Sequence, residues 1–526
     1  MTSIETPSLA DSQRPSSLTH RWTTVVVACL AVWLLMRVVF FVGFEGSDDM
    51  QHVRYANLWD RVPASHWETR LIANVLIGGA MKVFGYTEWA ATLPSLLGSL
   101  MILATTLLAC RWLGTIQQAW WAGMLVAVVP LDISNATIVS AHTLMVGFLT
   151  AGSLAFVMAP QSRRASAIAA VCLSLSVVIH DNAIPYLGAL VIAAIIIDWR
   201  AYLRTIIALC IAGVAFLLAD MLVFKLLSGD ALLRFRLSAS DNRDPVLRDG
   251  LTLQMAFWSV QQLIAGKPFG IAMSLASIGM AIHYRRFSRP VRLLCLTAVI
   301  FWLLISFGSY LPWAYRPFAR VGRYLHPLLL PIALVFAATI VHARHKRLAT
   351  AVGVAALALC PVILSSGGTW GQSIRTSQEL LSYALQHPEQ TFVTDVYTAN
   401  EIYIVNGLST PSNVVGTTDY GLTGFLDRTI RRTPAPTANS CDALLINPLN
   451  VERDPQFAAM ISKHLGARQY ETALVLRPIC QWIPFLRNSR WAVRRPPAAV
   501  YACEDASGAT TKPPADQEST STHASR

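Results

Sequence analysis

Long apolar runs separated by short polar turns dominate the first 365 residues. They lie at Thr23 to Phe44, Glu88 to Cys110, Gln117 to Pro130, Thr137 to Met158, Ala165 to Ile179, Ala183 to Ile197, Tyr202 to Leu227, Phe269 to His283, Val291 to Leu311, Tyr324 to Val341 and Leu348 to Ser365. A helix needs about 20 apolar residues to cross the hydrocarbon core of a bilayer, so the pattern predicts about eleven membrane spans, several of them short. The first run is too long for a signal-peptide core and no small-residue cleavage site closes it, so it reads as a retained span. Past Ser365 the pattern changes. A Gly367-Gly368 break leads to helical periodicity over Ser373 to Gln386, strand-like stretches at Thr391 to Asp395, Ala443 to Ile446 and Thr472 to Arg477, and a helix-like Pro455 to Leu465. Such alternation predicts a small α/β domain.

The expected fold class is therefore an all-α polytopic membrane protein carrying a small C-terminal α/β domain. Residues 1–22 read as a disordered cytoplasmic tail, 23–365 as the membrane domain, 366–505 as the α/β domain and 506–526 as a second disordered tail, because both tails are polar and have no apolar run.

Composition narrows the class further. The 526 residues are 54% hydrophobic and 14% charged, against about a quarter charged in an ordinary soluble domain. The net charge of +12 sits in short clusters between apolar runs, a distribution that fits lipid phosphate and argues against nucleic acid. Cys29, Cys110, Cys172, Cys210, Cys295 and Cys360 lie in or at the ends of apolar runs and read as small hydrophobes, whereas Cys441, Cys480 and Cys503 leave room for one disulfide in the C-terminal region.

Loop charge sets the expected sidedness. With the N-terminus inside, the inner loops hold Arg111, then Arg163 and Arg164, Arg200 and Arg204, Arg285, Arg286, Arg289 and Arg292, and finally Arg344, Lys346 and Arg347, as the excess of Lys and Arg on the cytoplasmic side requires. The C-terminal domain then lies outside. Three outer loops break the bias: 45–87 with Arg54, Arg61, Arg70 and Lys82, 228–268 with Arg234, Arg236, Arg243, Arg248 and Lys267, and 312–323 with Arg316, Arg320 and Arg323. Singly, each arginine is more simply explained by pairing with Asp48, Asp49, Asp60, Asp241, Asp244 or Asp249, or by lipid headgroups. As a set they point to an anionic ligand at the outer face.

Candidate chemistry gathers directly after the first span. Asp48 and Asp49 are adjacent carboxylates, whose repulsion raises the proton affinity of one and suits it to take a proton from a hydroxyl. A helix starting near Asp48 sets Asp48, His52 and Tyr55 on one face. Within the spans Arg37 reads as snorkelling or internally paired, and Asp220 as a functional candidate with Lys225 near enough to neutralise it. Asp132 and the His180-Asp181-Asn182 turn read first as helix caps.

Asp48, Asp49, Arg54, Tyr55 and Ala56 resemble the DDx(4)RYA signature that follows the first span in membrane glycosyltransferases of the C superfamily. Lys82-Val-Phe-Gly85, Pro94, Gly98 and Arg111-Trp-Leu-Gly114 look like the block that follows in the protein-mannosyltransferase-like group, and Gly322-Arg-Tyr-Leu-His-Pro-Leu-Leu-Leu-Pro331 is similar to its RYxxPxxP segment. The resemblance covers roughly the first 340 residues. Two departures stand out: His66-Trp-Glu-Thr-Arg70 replaces the His-Pro-Pro element, and His142 stands where relatives commonly have an acid.

The resemblance implies a GT-C-like fold and inverting transfer of a sugar, hexosyl or pentosyl, from a polyprenyl-phosphate carrier to a hydroxyl of an envelope glycan, lipid or protein, at the outer face of a bacterial-type plasma membrane. In that scheme Asp48 or Asp49 is the base, while Arg54, Tyr55, His52, Arg70, Arg320, Arg323 and Tyr324 bind substrate and phosphate. Some relatives use a divalent metal; Asp48, Asp49 and His52 could ligate one, although such close groups are more often hydrogen-bonded to each other. The alternative is a transporter or flippase of lipid-linked saccharides, for which mid-bilayer polar residues and internal repeats are expected.

Overall fold

The computed structural model describes residues 15–45, 48–57, 62–63, 65–241, 269–308, 322–366, 372–417, 432–433, 443–447, 470–476 and 498–503. These fall into two compact units, divided between residues 366 and 372, and each is described by itself.

Each of the eleven apolar runs falls on a helix of the first unit. These helices are α1 (Pro15–Val39), α4 (Glu88–Leu113), α5 (Ile116–Val128), α7 (Ala141–Met158), α8 (Arg163–Ile179), α9 (Ala183–Ser228), α11 (Ile271–His283), α12 (Arg289–Phe307), α13 (Leu329–His342, entered through a 3-10 turn at Gly322–Leu328) and α14 (Lys346–Ser366). Shorter helices intervene as α2 (Asp48–Asn57), α3 (Leu71–Phe84), α6 (Pro130–Ala136) and α10 (Leu233–Asp241). Seven helices among the described residues are long and apolar enough to cross a membrane, or eight if α5 and α6, bent by 51° at their junction, make one broken span. The eleven apolar runs outnumber these spans because two runs share α9, which is broken at Asp198, and α8 and α11 are short. Asp198 breaks α9 with φ −171° and ψ 86°, an extended backbone, and its carboxylate accepts a hydrogen bond from the Ala201 N–H and pairs with Arg289. The bend between α5 and α6 has a local cause: Pro130 forces the preceding Val129 into an extended conformation.

Close packing around the segment that follows α1 is built on glycine. A side chain at Gly98 would meet the Thr143 carbonyl oxygen at 2.5 Å, and one at Gly147 the Gly98 oxygen at 2.7 Å, so α4 and α7 touch backbone to backbone. Gly43, at φ +83°, turns the chain leaving α1. Its N–H then donates to the Thr137 oxygen at 2.8 Å and it forms a parallel bridge with Ile138. Residues 43–45 are thereby laid beside 137–140.

Two sequence expectations change. Asp220 is not matched with Lys225; Arg234, on α10, donates to Asp220 at 3.4 Å and to Asp181 at 2.5 Å. Tyr55 does not share an open face with His52 but packs with Leu71, Phe224 and Leu233. The six cysteines of the apolar runs are free thiols, while Cys441 and Cys480 lie outside the described residues.

The second unit is an α/β layer. Its sheet has the order β3 (Arg432–Thr433), β2 (Val414–Thr417), β1 (Phe392–Thr394), β4 (Ala443–Ile446), β6 (Ala498–Cys503), β5 (Tyr470–Leu476). The first four strands run parallel and the last two pair antiparallel. Helices α15 (Gln372–Gln386) and α16 (Val396–Val405) pack Leu380, Leu381, Ala384 and Ile402 against Phe392, Val414 and Leu445. The Asp395 side chain caps α16 by accepting from the Thr398 N–H at 2.9 Å. The helix read at Pro455 to Leu465 lies outside the described residues.

Candidate active site

One cleft of the membrane unit is lined by Glu45, Asp49, His52, Trp67, Arg70, Ile138, Val139, Ser140, His142, His180 and Arg323. The sequence scatters these residues over nearly 280 positions, and the fold gathers them by three devices. The Gly43 turn sets Glu45 and Asp49 beside 138–140, and the Glu45 N–H donates to Asp49 Oδ2 at 2.7 Å. Ser95 grips Ser140 with two bonds, donating to its oxygen at 2.8 Å and accepting from its N–H at 3.0 Å. The 65–70 turn is tied to α2 by the Ser65 hydroxyl, which donates to Gln51 Oε1, and within itself by Thr69 Oγ1, which donates to the His66 oxygen at 2.6 Å.

Trp67 is the aromatic floor. The Arg70 guanidinium lies over its ring at 4.2 Å and that of Arg323 at 6.0 Å, while His52 meets it edge-on at 6.2 Å. Two cations thus share one indole, a geometry that helps fix the planes of both guanidiniums.

The imidazoles are neutral partners. Asn74 donates through Nδ2 to the Glu68 oxygen at 3.0 Å, so its Oδ1 faces His52 Nδ1 at 2.7 Å and the His52 proton sits on Nδ1. Burial, followed by the nearby Arg70 charge, pushes His52 down to about 3. Burial and Arg70 also hold His180 well below the ordinary histidine range. With these two histidines uncharged, the fixed charges lining the cleft are Arg70 and Arg323 against Asp49 and Glu45.

Of the residues singled out in the sequence, Asp49, His52, Arg70 and Arg323 meet in this cleft. Tyr324 stands behind it, its ring 6.3 Å from that of His142. Arg54 and Tyr55 belong to α2 but are not among the lining residues. Asp48 opens α2 with its side chain outside the described atoms, and Arg320 lies outside the described residues. Among the described residues no three His, Cys, Asp or Glu side chains are placed to hold a metal ion.

Trp67 and His180 are site residues that sequence reasoning undervalued. Trp67 was visible only as part of the segment replacing a familiar motif. His180 read first as a cap, and its Nδ1 does accept from the Asn182 N–H at 3.2 Å, but its ring also lines the cleft.

The apolar helices and the separate α/β C-terminal unit make this a polytopic membrane protein, and its fold is that of the solved ArnT structures. No protein-family model matches the chain, and no curated protein sequence matches it significantly. Among solved structures, the chain resembles ArnT from Cupriavidus metallidurans in its apo state, with 14% identity and a TM-score of 0.57 over 93% of this chain and 98% of that one. It resembles the same ArnT bound to undecaprenyl phosphate with 13% identity and a TM-score of 0.57, over 91% and 98% of the two chains.

Proposed function

We propose that the protein is an inverting glycosyltransferase that moves a sugar from a polyprenyl-phosphate carrier to a hydroxyl of an envelope glycan, lipid or protein at the outer face of the membrane. The observation that carries this reading is the meeting, in one cleft, of a buried carboxylate from the first outer loop with two arginines stacked on one tryptophan. The structural likeness to an ArnT bound to undecaprenyl phosphate supports the choice of carrier.

In the reaction, the acceptor hydroxyl gives its proton to the base as its oxygen bonds to the anomeric carbon. The bond from that carbon to the phosphate oxygen breaks on the opposite face, so configuration inverts. The carrier phosphate leaves with the electron pair and gains one unit of negative charge, which Arg70 and Arg323 are positioned to stabilise. Asp49 is the base. His52 is a poor alternative, because a group pushed down to about 3 holds a proton too weakly to drive abstraction near neutral pH. Arg54, Tyr55 and Tyr324 belong to the surrounding shell in this scheme, Arg320 is a further candidate for the phosphate, and Asp48 is the neighbour that tunes Asp49.

The test is mass spectrometry of envelope glycans and glycolipids from cells with the protein, without it, and with Asp49→Asn or Asp48→Asn in its place. A sugar modification present only with the wild-type chain and lost in Asp49→Asn is the expected result. Full restoration by both variants refutes the chemistry. A transporter would instead move an intact lipid-linked saccharide across vesicles without forming a new glycosidic bond.

A further inference from the structure

The site just described does not use a fully buried ion pair of the membrane unit. Arg37 on α1 pairs with Asp132 on α6, and the two side chains are 1% and 0% exposed. Arg37 also donates to the Ala127 oxygen and, at 3.3 Å, to the Val126 oxygen. Asp132 accepts from the Ser99 hydroxyl at 2.5 Å and, through Oδ1, from His326 Nε2 at 2.9 Å. Because a carboxylate beside a guanidinium can only accept, the His326 proton must sit on Nε2.

His326 shares the 3-10 turn Gly322–Leu328 with Arg323. Residues three apart in such a turn stand on one side of it. That turn has a second anchor. His142 Nε2 lies 2.7 Å from the Arg323 carbonyl oxygen and therefore donates to it, while the His142 ring stacks on that of His326 at 5.8 Å. Neither Nδ1 has a hydrogen-bond partner among the described residues, so the rings meet by stacking and not by a hydrogen bond. The turn is thus pinned at residue 326 to α6 and at residue 323 to α7.

A buried ion pair of this kind contributes little net stability compared with apolar packing of the same volume; what it can supply is a fixed geometry. We propose that Asp132 and His326, with Arg37 paired to Asp132, are positioning residues for Arg323: they pin the 322–328 turn so that the guanidinium is already oriented toward the carrier phosphate. This rests on the reading of Arg323 as a phosphate-binding residue.

The test uses the full chain in nanodiscs, with a long-chain polyprenyl phosphate as probe and the matching prenol as a phosphate-free control. His326→Phe keeps the ring but cannot donate to Asp132, whereas His326→Gln restores a donor of similar reach. The expected result is a Kd for the polyprenyl phosphate raised about tenfold in His326→Phe and about unchanged in His326→Gln, equivalent to about 1.4 kcal/mol in the first case. Prenol binding stays the same in all three proteins. Amide exchange over residues 322–328 is faster in His326→Phe alone. If the wild type binds the phosphate and His326→Phe binds it equally well, this inference is overturned and the donor assignment stands. If the wild type shows no preference for the phosphate over the prenol, the donor assignment falls and this inference with it.

Discussion

Asp49 and Asp132 are both nearly sealed from solvent, 2% and 0% exposed, and both have arginine in their surroundings, yet the fold uses them in opposite ways. Asp132 is closed on every side by Arg37, Ser99 and His326, so no reacting group can reach it. Asp49 takes a backbone N–H from Glu45 and faces a cleft whose other walls carry Arg70 and Arg323. Burial and charge alone therefore do not mark a chemical carboxylate; the distinction lies in whether its surroundings are filled by the protein or left as a cleft.

The sharpest way to break this comparison is to neutralise each carboxylate in turn. Asp49→Asn keeps size and the Glu45 contact but removes the base, and turnover is expected to fall about a thousandfold with thermal stability unchanged. Initial rates on a polyprenyl-phosphate sugar, together with a melting curve of the purified protein, read both quantities. Rates within a few-fold of wild type would show that Asp49 is as structural as Asp132. Asp132→Leu reverses the pattern. It strands the Arg37 guanidinium in an apolar interior and is expected to cost about 3 kcal/mol of stability, most of which returns in the double variant Arg37→Met, Asp132→Leu. Denaturation in detergent, as a double-mutant cycle, measures the coupling; additive losses would mean the pair is not the unit described here.

The two arginines come next. Arg70→Gln or Arg323→Gln should weaken polyprenyl-phosphate binding by about tenfold each, because a charge-assisted contact to phosphate is lost while stacking on Trp67 is largely kept. Equilibrium binding at two salt concentrations checks this, and an effect of the same size on prenol binding would remove phosphate from the interpretation.

The same contrast explains what could be read from sequence. Hydropathy located the apolar helices because each is a continuous local signal, and Asp49, His52, Arg70 and Arg323 were visible through the unusual basic loops and the DDx(4)RYA resemblance. The partner of Asp132 was not visible: Arg37 is 95 residues away and His326 is 194 away, and neither spacing carries any periodicity. Asp220 shows the same limit. Lys225 was near in sequence, but the helical turn between them did not bring it in, and Arg234 arrived from a separate helix. The break in α9 was readable as a boundary near residues 197–202, though not as one continuous helix jointed at Asp198.

The smallest expected effect concerns His52. Its proton affinity in the fold corresponds to about 3, against an ordinary value of 6.5, chiefly through burial and then through Arg70. The folded protein therefore keeps His52 neutral where the unfolded chain binds a proton, so the unfolded state holds more protons as pH falls below about 6.5. Stability from this site is complete above that pH and is lost progressively as pH falls toward 3. His52→Gln, which retains an amide donor for Asn74, should match the wild type at pH 8 and lose less stability than the wild type between pH 6 and about 4. The gain is partial, because His180 is shifted in the same direction and remains. Chemical denaturation across this pH range gives the two slopes. Parallel slopes would show that His52 titrates normally, and would reopen the choice between imidazole and Asp49 as the group that takes the acceptor's proton.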